Sequence, residues 1–344
     1  MINMLTVTLG KTGITTGKNA FGALPIQRIS QEEAVRLLHK AYEGGMTFFD
    51  TARFYTDSES KLGVAFHGMR EKIFLASKTM AQNAEDFWKD LHTTLTNLQT
   101  DYLDLYQFHN PGFCPKPDDG TGLYEAMVQA KQQGKIRHIG ISNHRLHVAN
   151  EAVDSGLYET LQFPFCYLAS DEDIALVNKC KEKEVGFISM KGLSGGLLTN
   201  ARACYAFQAQ YDNVLPIWGI QKESELDEFL SFIHNPPAMT EELAAFIEKD
   251  RAELQGDFCR SCGYCMPCPV GIEILNCARM SQLIRRSPSA AYLTPEAQAK
   301  MMKIEQCLHC GQCASRCPYH LDTPALLQKN LEDYKRILSG ETKL

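Results

Sequence analysis

Ile73-Phe74-Leu75-Ala76-Ser77 runs into Lys78, Asn83 then precedes Phe87, Leu91, Leu95 and Leu98, and Leu103-Asp104-Leu105-Tyr106-Gln107-Phe108 runs into His109. The outer runs read as strands, and the apolar residues between them recur at helical spacing behind an Asn cap. A strand, a helix and a second strand in roughly 30 residues form the unit of a parallel sheet.

The same alternation extends in both directions. Strand-like runs begin near Phe21, Met46, Lys72, Tyr102, Ile136, Thr160, Gly186 and Val214, most of them followed by a helical pattern. Ser30 and Glu33 make a capping box ahead of Ala34, Leu37, Leu38 and Ala41. Leu123, Ala126, Met127 and Ala130 precede Gly134 as a stop, and Leu226, Phe229, Leu230 and Ile233 line a further helix. Eight units in about 240 residues predict an α/β fold of the (β/α)8 TIM-barrel type. An open doubly wound sheet is the competing architecture, but no G-x-G-x-x-G turn follows the first strand. His234-Asn235-Pro236-Pro237 breaks the last pattern, so the barrel is expected at 1–236 and a small, mainly helical domain at 237–344.

Bulk properties exclude several function classes. Hydrophobic content of 44% and charged content of 22% are those of an ordinary globular chain, which argues against disorder. The formal net charge is -6 with no basic stripe, so no nucleic-acid partner is expected. No apolar run approaches the roughly 18 residues that span a bilayer, and no export signal is evident. A cytoplasmic chain with no membrane partner is the expectation.

Eight of the 13 cysteines fall into two runs. Cys259-x-x-Cys262-x-x-Cys265-x-x-Cys268-Pro269 is the first, and Cys307-x-x-Cys310-x-x-Cys313-x-x-x-Cys317-Pro318 is the second. The second has the bacterial ferredoxin spacing, in which three cysteines hold one cubane and the fourth, before proline, holds the other. Cys259, Cys262, Cys265 and Cys317 are therefore assigned to one 4Fe-4S cluster, and Cys307, Cys310, Cys313 and Cys268 to a second. The first run is one residue shorter before its last cysteine. Paired C-x-x-C elements also make zinc sites, but the triple spacing with C-P endings favours clusters. Ile272, Leu275, Met280, Leu283, Met301 and Met302 lie between the runs in helical pattern. Cys114, Cys166, Cys180, Cys204 and Cys277 have no ligand spacing and are expected to pack in the core.

Active sites of such barrels lie at the carboxyl ends of the strands. Three consecutive predicted strands end in Asp50, Lys78 and His109, and Tyr55 follows Asp50 in the same loop. Each alone reads more simply as a cap, a loop lysine, a core histidine or a packing tyrosine. Together they converge. The pattern Gly45-Met46-Thr47-Phe48-Phe49-Asp50-Thr51-Ala52-x-x-Tyr55, with Ser77-Lys78-Thr79 and a strand-final His109, resembles the aldo-keto reductase family from about Leu9 to Leu230. The cysteine tail is similar to a branch of that family carrying a C-terminal ferredoxin-like 4Fe-4S domain.

The resemblance implies a barrel that binds NADP(H), with NAD(H) as the alternative, and reduces an aldehyde or ketone or oxidises the alcohol. It implies catalytic roles for Asp50, Tyr55, Lys78 and His109. A phenol near pKa 10 is a poor acid, and an adjacent ammonium lowers that value. Tyr55 would give the proton, Lys78 would acidify it, Asp50 would hold Lys78 charged, and His109 would orient the carbonyl oxygen. The resemblance also places Ser142, Asn143 and Gln162 at the carboxamide, Met190 where a ring-stacking tyrosine is common, and the backbone of Leu193 to Gly196, including Gly195, at the pyrophosphate. Lys222 is the candidate for the 2′-phosphate, with Glu225 and Glu228 at positions near the adenine. Asn110 to Asp119 is a long, proline-rich candidate lid. His144 and His147 read as surface residues, and His309 and His320 as loop residues.

A carbonyl reductase whose clusters are structural, sensory or electron-transferring is the leading expectation. An iron-sulfur electron-transfer protein, coupling a nicotinamide-binding barrel to a ferredoxin or another redox partner, is the alternative.

Overall fold

The computed structural model describes residues 5–254, 258–286 and 289–343. It divides the chain into two compact units, one built from residues up to Gly192 with Asn200–Ala245, the other from Leu193–Thr199 with the chain from Phe246 onward.

In the first unit a short antiparallel hairpin, β1 (Thr6–Thr8) and β2 (Thr15–Gly17), precedes the barrel. The barrel strands are β3 (Ala20–Gly22), β4 (Phe48–Asp50), β5 (Phe74–Thr79), β6 (Leu103–His109), β7 (Ile136–Ser142), β8 (Thr160–Pro164), β9 (Gly186–Met190) and β10 (Val214–Gly219). All pair in parallel, in sequence order, and β10 closes on β3. The chain thus has the expected eight-stranded closed barrel. Helices α1 (Gln31–Glu43), α2 (Ser58–Ala65), α3 (Ala84–Asn97), α4 (Leu123–Gln132), α5 (Leu146–Ser155), α6 (Asp171–Glu182), α7 (Ala201–Ala209) and α8 (Glu223–His234) follow the strands.

Local chemistry sets these helices. The Ser30 side chain accepts from Glu33 N and the Glu33 carboxylate returns to Ser30 N, so α1 starts with a complete capping box. Its buried residues are Ala34, Leu37, Leu38 and Ala41, one apolar stripe. Asn83 caps α3 by accepting from Asp86 N.

The hairpin was not foreseen. Val7, Leu9 and Ile14 join Ala20, Phe48, Ala76, Leu105, Ile188 and Leu215 in the barrel's inner cluster. Leu9 is fully buried against Gly186, the first residue of β9, so the hairpin covers the amino-terminal end of the barrel. Burying such a leucine contributes about 1.5–3 kcal/mol. The approach is tight at Gly10, where φ is +50° and an added Cβ would stand 2.1 Å from the Glu184 carbonyl oxygen. The opposite, carboxyl end of the strands carries the ionisable residues.

The second unit is helical. It contains the end of α9 (Glu241–Glu253), then α10 (Ile274–Cys277), α11 (Met280–Arg286), α12 (Pro295–Met302), α13 (Gln312–Ser315) and α14 (Thr323–Leu338). Helix α14 is the spine: Leu327, Leu331, Tyr334 and Ile337 are buried among Ile272, Ile274, Ala278, Ile284, Met301 and Ile304. The Tyr334 hydroxyl donates to Tyr292 O at 2.6 Å, and Asn330 Oδ1 accepts from Ser281 N at 2.8 Å, so both of these polar side chains on α14 have partners. Among the described residues no helix is long and apolar enough to cross a membrane.

Candidate functional site

At the carboxyl end of the strands, register aligns the ionisable residues. Asp50 pairs with Ala76, and Lys78, two residues further along β5, pairs with Gln107 on β6. His109 pairs with Ser142, and Ser142 with Gln162. Lys78 Nζ donates to Asp50 Oδ1 at 2.6 Å, to Asp50 Oδ2 at 2.8 Å and to Thr51 O at 2.7 Å. Both side chains are buried. Burial pushes the Asp50 carboxyl up and the Lys78 ammonium down, while their mutual attraction opposes both shifts.

Tyr55 reaches this pair through the loop after β4. Thr51 N donates to Ala76 O and Arg53 N to Lys78 O, which extends the strand path beyond Asp50. The chain then turns: Tyr55 N donates to Ala52 O, Ser58 N to Tyr55 O, and Thr56 adopts φ +38°. The ammonium of Lys78 lies 5.4 Å from the Tyr55 ring centroid, and the His109 ring stands edge-on to that ring at 5.7 Å. Burial, and then the Lys78 charge, hold His109 down at about 3, which keeps the imidazole neutral around pH 7. Among the described residues its buried Nδ1 has no hydrogen-bond partner.

Two further residues shape this region and were not singled out from sequence. Glu59, fully buried on α2, accepts from Ser77 Oγ and Thr94 Oγ1 at 2.8 Å, from Asn97 Nδ2 at 3.2 Å and from Arg53 Nη1 at 2.8 Å. It thereby ties the start of α2 to β5, α3 and the Tyr55 loop. The signal was present, because Glu59, Leu62 and Phe66 share one helical stripe and a carboxylate on an apolar stripe demands partners. Phe54 is 68% exposed, with its ring edge-on to His109 at 6.5 Å. It offers an apolar surface beside the imidazole.

The other expected cofactor contacts are distributed as follows. Gln162 Nε2 reaches Asp50 Oδ1 at 3.4 Å and its Oε1 accepts from Gln107 Nε2 at 2.9 Å, leaving one N–H and one lone pair. Asn143 Nδ2 donates to Pro111 O and its Oδ1 accepts from Arg145 N, so this amide also holds its own loop. Gln107 Oε1 is buried without a partner. Such unspent polar capacity at the strand ends suits a carboxamide. Met190 ends β9 and packs partly buried against the inner cluster. Lys222 is exposed at the start of α8, and the Glu225 carboxylate accepts from the backbone N–H groups of Gln221 and Lys222. Leu193, Gly195 and Gly196 form a tight turn around the short 3-10 helix Ser194–Gly196, with left-handed φ at Ser194, Gly195 and Gly196. This turn belongs to the cysteine unit. The 110–119 loop is tied down where Tyr158 Oη donates to Pro115 O and Asp118 N to Glu125 Oε1.

In the second unit, Cys259, Cys262, Cys265 and Cys317 line a space of about 360 Å³. Cys268, Cys307, Cys310 and Cys313, with Cys265 at the edge, line another of about 400 Å³. Among the described residues no three His, Cys, Asp or Glu side chains converge as they would on a single metal ion. Each space is ringed by the cysteines assigned to one cluster, the ligand set that a cubane takes. The two ligand loops share a backbone pattern: Ser261 and Gly263 in one, His309 and Gly311 in the other, all take left-handed φ between 49° and 89°. Alternation of this kind turns backbone N–H groups inward, as anion- and cluster-binding loops require. Ser261 N lies 3.4 Å from Cys259 Sγ as a donor. Burial first, then the neighbouring thiols, push Cys265 up to about 12, and a metal bound there would require its thiolate form. Cys114, Cys180, Cys204 and Cys277 are buried and Cys166 is half-buried, all outside these spaces.

A parallel barrel with a buried lysine-aspartate pair, a tyrosine and a neutral histidine at its strand ends, joined to a helical cysteine unit, defines an oxidoreductase class. The chain belongs to the aldo/keto reductase family, whose model matches residues 13–206, and a 4Fe-4S dicluster domain matches residues 258–322. It is 29% identical over 211 residues to L-galactose dehydrogenase from Arabidopsis thaliana, covering 56% of this chain and 66% of that one. It is 31% identical over 133 residues to a putative methylglyoxal reductase from Salmonella typhi, covering 38% and 48%. The matched region spans less than two thirds of each relative. An aldo-keto reductase from Bacillus halodurans has a TM-score of 0.64 at 20% identity, over 72% of this chain and 96% of its own. One from Klebsiella pneumoniae, solved with NADP and acetate, has 0.62 at 21%, over 72% and 95%.

Proposed function

We propose that this protein reduces a small aldehyde or ketone, or oxidises the corresponding alcohol, with NADPH, and that its C-terminal domain holds two cross-ligated 4Fe-4S clusters. The observation that carries the reading is the buried Asp50–Lys78 contact with Tyr55 and a neutral His109 packed against it. The bound nicotinamide supplies or accepts a hydride. Tyr55 gives its proton to the carbonyl oxygen as negative charge builds there. Lys78 favours the phenolate left behind, and Asp50 keeps the ammonium aimed and charged. His109, being neutral, orients the carbonyl oxygen by a hydrogen bond without competing as an acid. Gln162 and Ser142 would hold the carboxamide, Asn143 would complete that edge, and Lys222 would meet the 2′-phosphate. Proton donation of this kind contributes about 10²–10⁴ in rate. Methylglyoxal and L-galactose, named for the relatives above, head the substrate panel.

A second reading, electron exchange with a protein partner, is favoured by the surface of the cysteine unit. Cys310 is exposed and its neighbour Leu308 is 66% exposed, so that cluster edge faces solvent. The obstacle is that nicotinamide transfers two electrons as hydride, whereas a cluster takes one at a time. Anaerobically purified protein, mixed with NADPH with and without the panel, separates the two. Turnover without cluster reduction supports the reductase, and cluster bleaching by NADPH alone supports electron transfer.

A further inference from the structure

Arg279 lies two residues beyond the end of α10 and is 5% exposed. Its Nε donates to Leu275 O at 3.0 Å and its Nη1 to Gly195 O at 2.7 Å. Among the described residues no carboxylate pairs with it. A buried guanidinium carries a large desolvation penalty and requires a counter-charge. Burial lowers its pKa, and the charge of Cys259 and then that of Tyr292 oppose the shift. Leu275 and Ala278, immediately beside it, line the space ringed by Cys259, Cys262, Cys265 and Cys317.

A second observation brings the Gly195 turn to the same point. At Gly195, with φ +64°, an added Cβ would stand 3.0 Å from Ser261 Cβ and 3.1 Å from Arg279 Nη1. Ser261 sits between two of the ligand cysteines. The guanidinium, the ligand loop and the turn expected to receive the pyrophosphate therefore press on one another. Arg260 itself lines this space, whereas Arg279 stands behind Leu275 and Ala278 of its wall, but Arg260 is only half-buried and stacks over Tyr319 at 4.7 Å, where solvent screens its charge.

We propose that Arg279 supplies the counter-charge of the cluster held by Cys259, Cys262, Cys265 and Cys317, raising its reduction potential and coupling that potential to nucleotide bound at the Gly195 turn. This rests on the cluster and nucleotide assignments above. Four thiolates make the cluster doubly negative when oxidised and triply negative when one external electron is added, with no bond formed or broken. A nearby fixed cation favours the reduced form. An anion at the turn draws on the same cation, so nucleotide lowers the potential and reduction weakens nucleotide binding by the same factor.

The test is a dithionite titration of the anaerobically purified full chain, followed by electron paramagnetic resonance, with and without NADP⁺. In Arg279→Gln one of the two cluster signals shifts toward lower potential by about tenfold in its redox equilibrium, ~59 mV for a one-electron couple. Arg279→Lys stays near wild type, and Arg260→Gln shifts less than Arg279→Gln. NADP⁺ lowers the wild-type potential and has little effect on that of Arg279→Gln. A titration of Arg279→Gln that superimposes on wild type overturns the charge role, and a nucleotide shift undiminished in that variant overturns the coupling. Should Arg279→Gln not retain iron, the wild-type nucleotide shift and the Arg279→Lys titration still decide. Failure of NADP⁺ to bind, measured by protein fluorescence, counts against the nucleotide assignment and leaves the potential comparison standing.

Discussion

Lys78 and Asp50 meet in complete burial, with the ammonium 2.6 Å from one carboxylate oxygen and 2.8 Å from the other. Neither charge would persist there alone. Asp50→Asn leaves the ammonium unpaired and is expected to cost about 3–5 kcal/mol of stability, read as a lower denaturation midpoint. Replacing both residues, as in Asp50→Leu with Lys78→Met, is expected to recover most of that stability and none of the NADPH oxidation. Recovery of activity in the double variant would remove the pair from the mechanism.

His109 makes a pH prediction with a defined sign. Its folded value of about 3 lies below the unfolded 6.5, so the unfolded chain binds the extra proton between those limits. The stability this site contributes is present above about pH 6.5 and is lost as pH falls toward 3, at up to about 1.4 kcal/mol per pH unit. The difference in unfolding free energy between wild type and His109→Gln should shrink across that window. No imidazole titration should appear in kcat/KM between pH 6 and 8.

Glu59 anchors Arg53, Ser77, Thr94 and Asn97 around the tetrad. Glu59→Ala strands those donors and is expected to lower both the thermal midpoint and kcat. Glu59→Gln keeps the shape and two acceptor lone pairs, so it should retain more of each. Equal damage by the two substitutions would mean that charge, rather than positioning, is its contribution.

Cross-ligation in the cysteine unit is tested by iron content and spin-resonance signals. Cys317→Ser and Cys259→Ser should each remove the same signal and about four of about eight irons, although they lie in different runs. Cys268→Ser should instead affect the signal shared with Cys307→Ser. Pairing by run rather than across runs would contradict the assignment.

The strand starts near Phe21, Ile136, Thr160, Gly186 and Val214 were legible because each is an apolar run followed by a helix-period stretch. Asp50, Lys78 and His109 were legible because each ends such a run. The β1–β2 hairpin was not. Strands of three residues leave no run to detect, and Leu9 becomes core only because Gly186 leaves room for it. Glu59 carried a signal in its place on the apolar stripe with Leu62 and Phe66, but its partners on β5 and α3 were not legible, because they lie on other elements of the fold. The attachment of Leu193–Thr199 to the cysteine unit was equally hidden. It includes Arg279 meeting a turn more than 80 residues earlier in the chain, a relationship that neither periodicity nor motif spacing records.

Tyr55 is proposed as the proton donor of an NADPH-dependent carbonyl reduction. The most direct test compares single-turnover NADPH oxidation by methylglyoxal in cluster-loaded wild type and Tyr55→Phe, with NADPH affinity measured alongside. The expected result is a fall of about 10²–10⁴ in the rate with nucleotide affinity unchanged. A Tyr55→Phe protein that turns over as fast as wild type would contradict the claim.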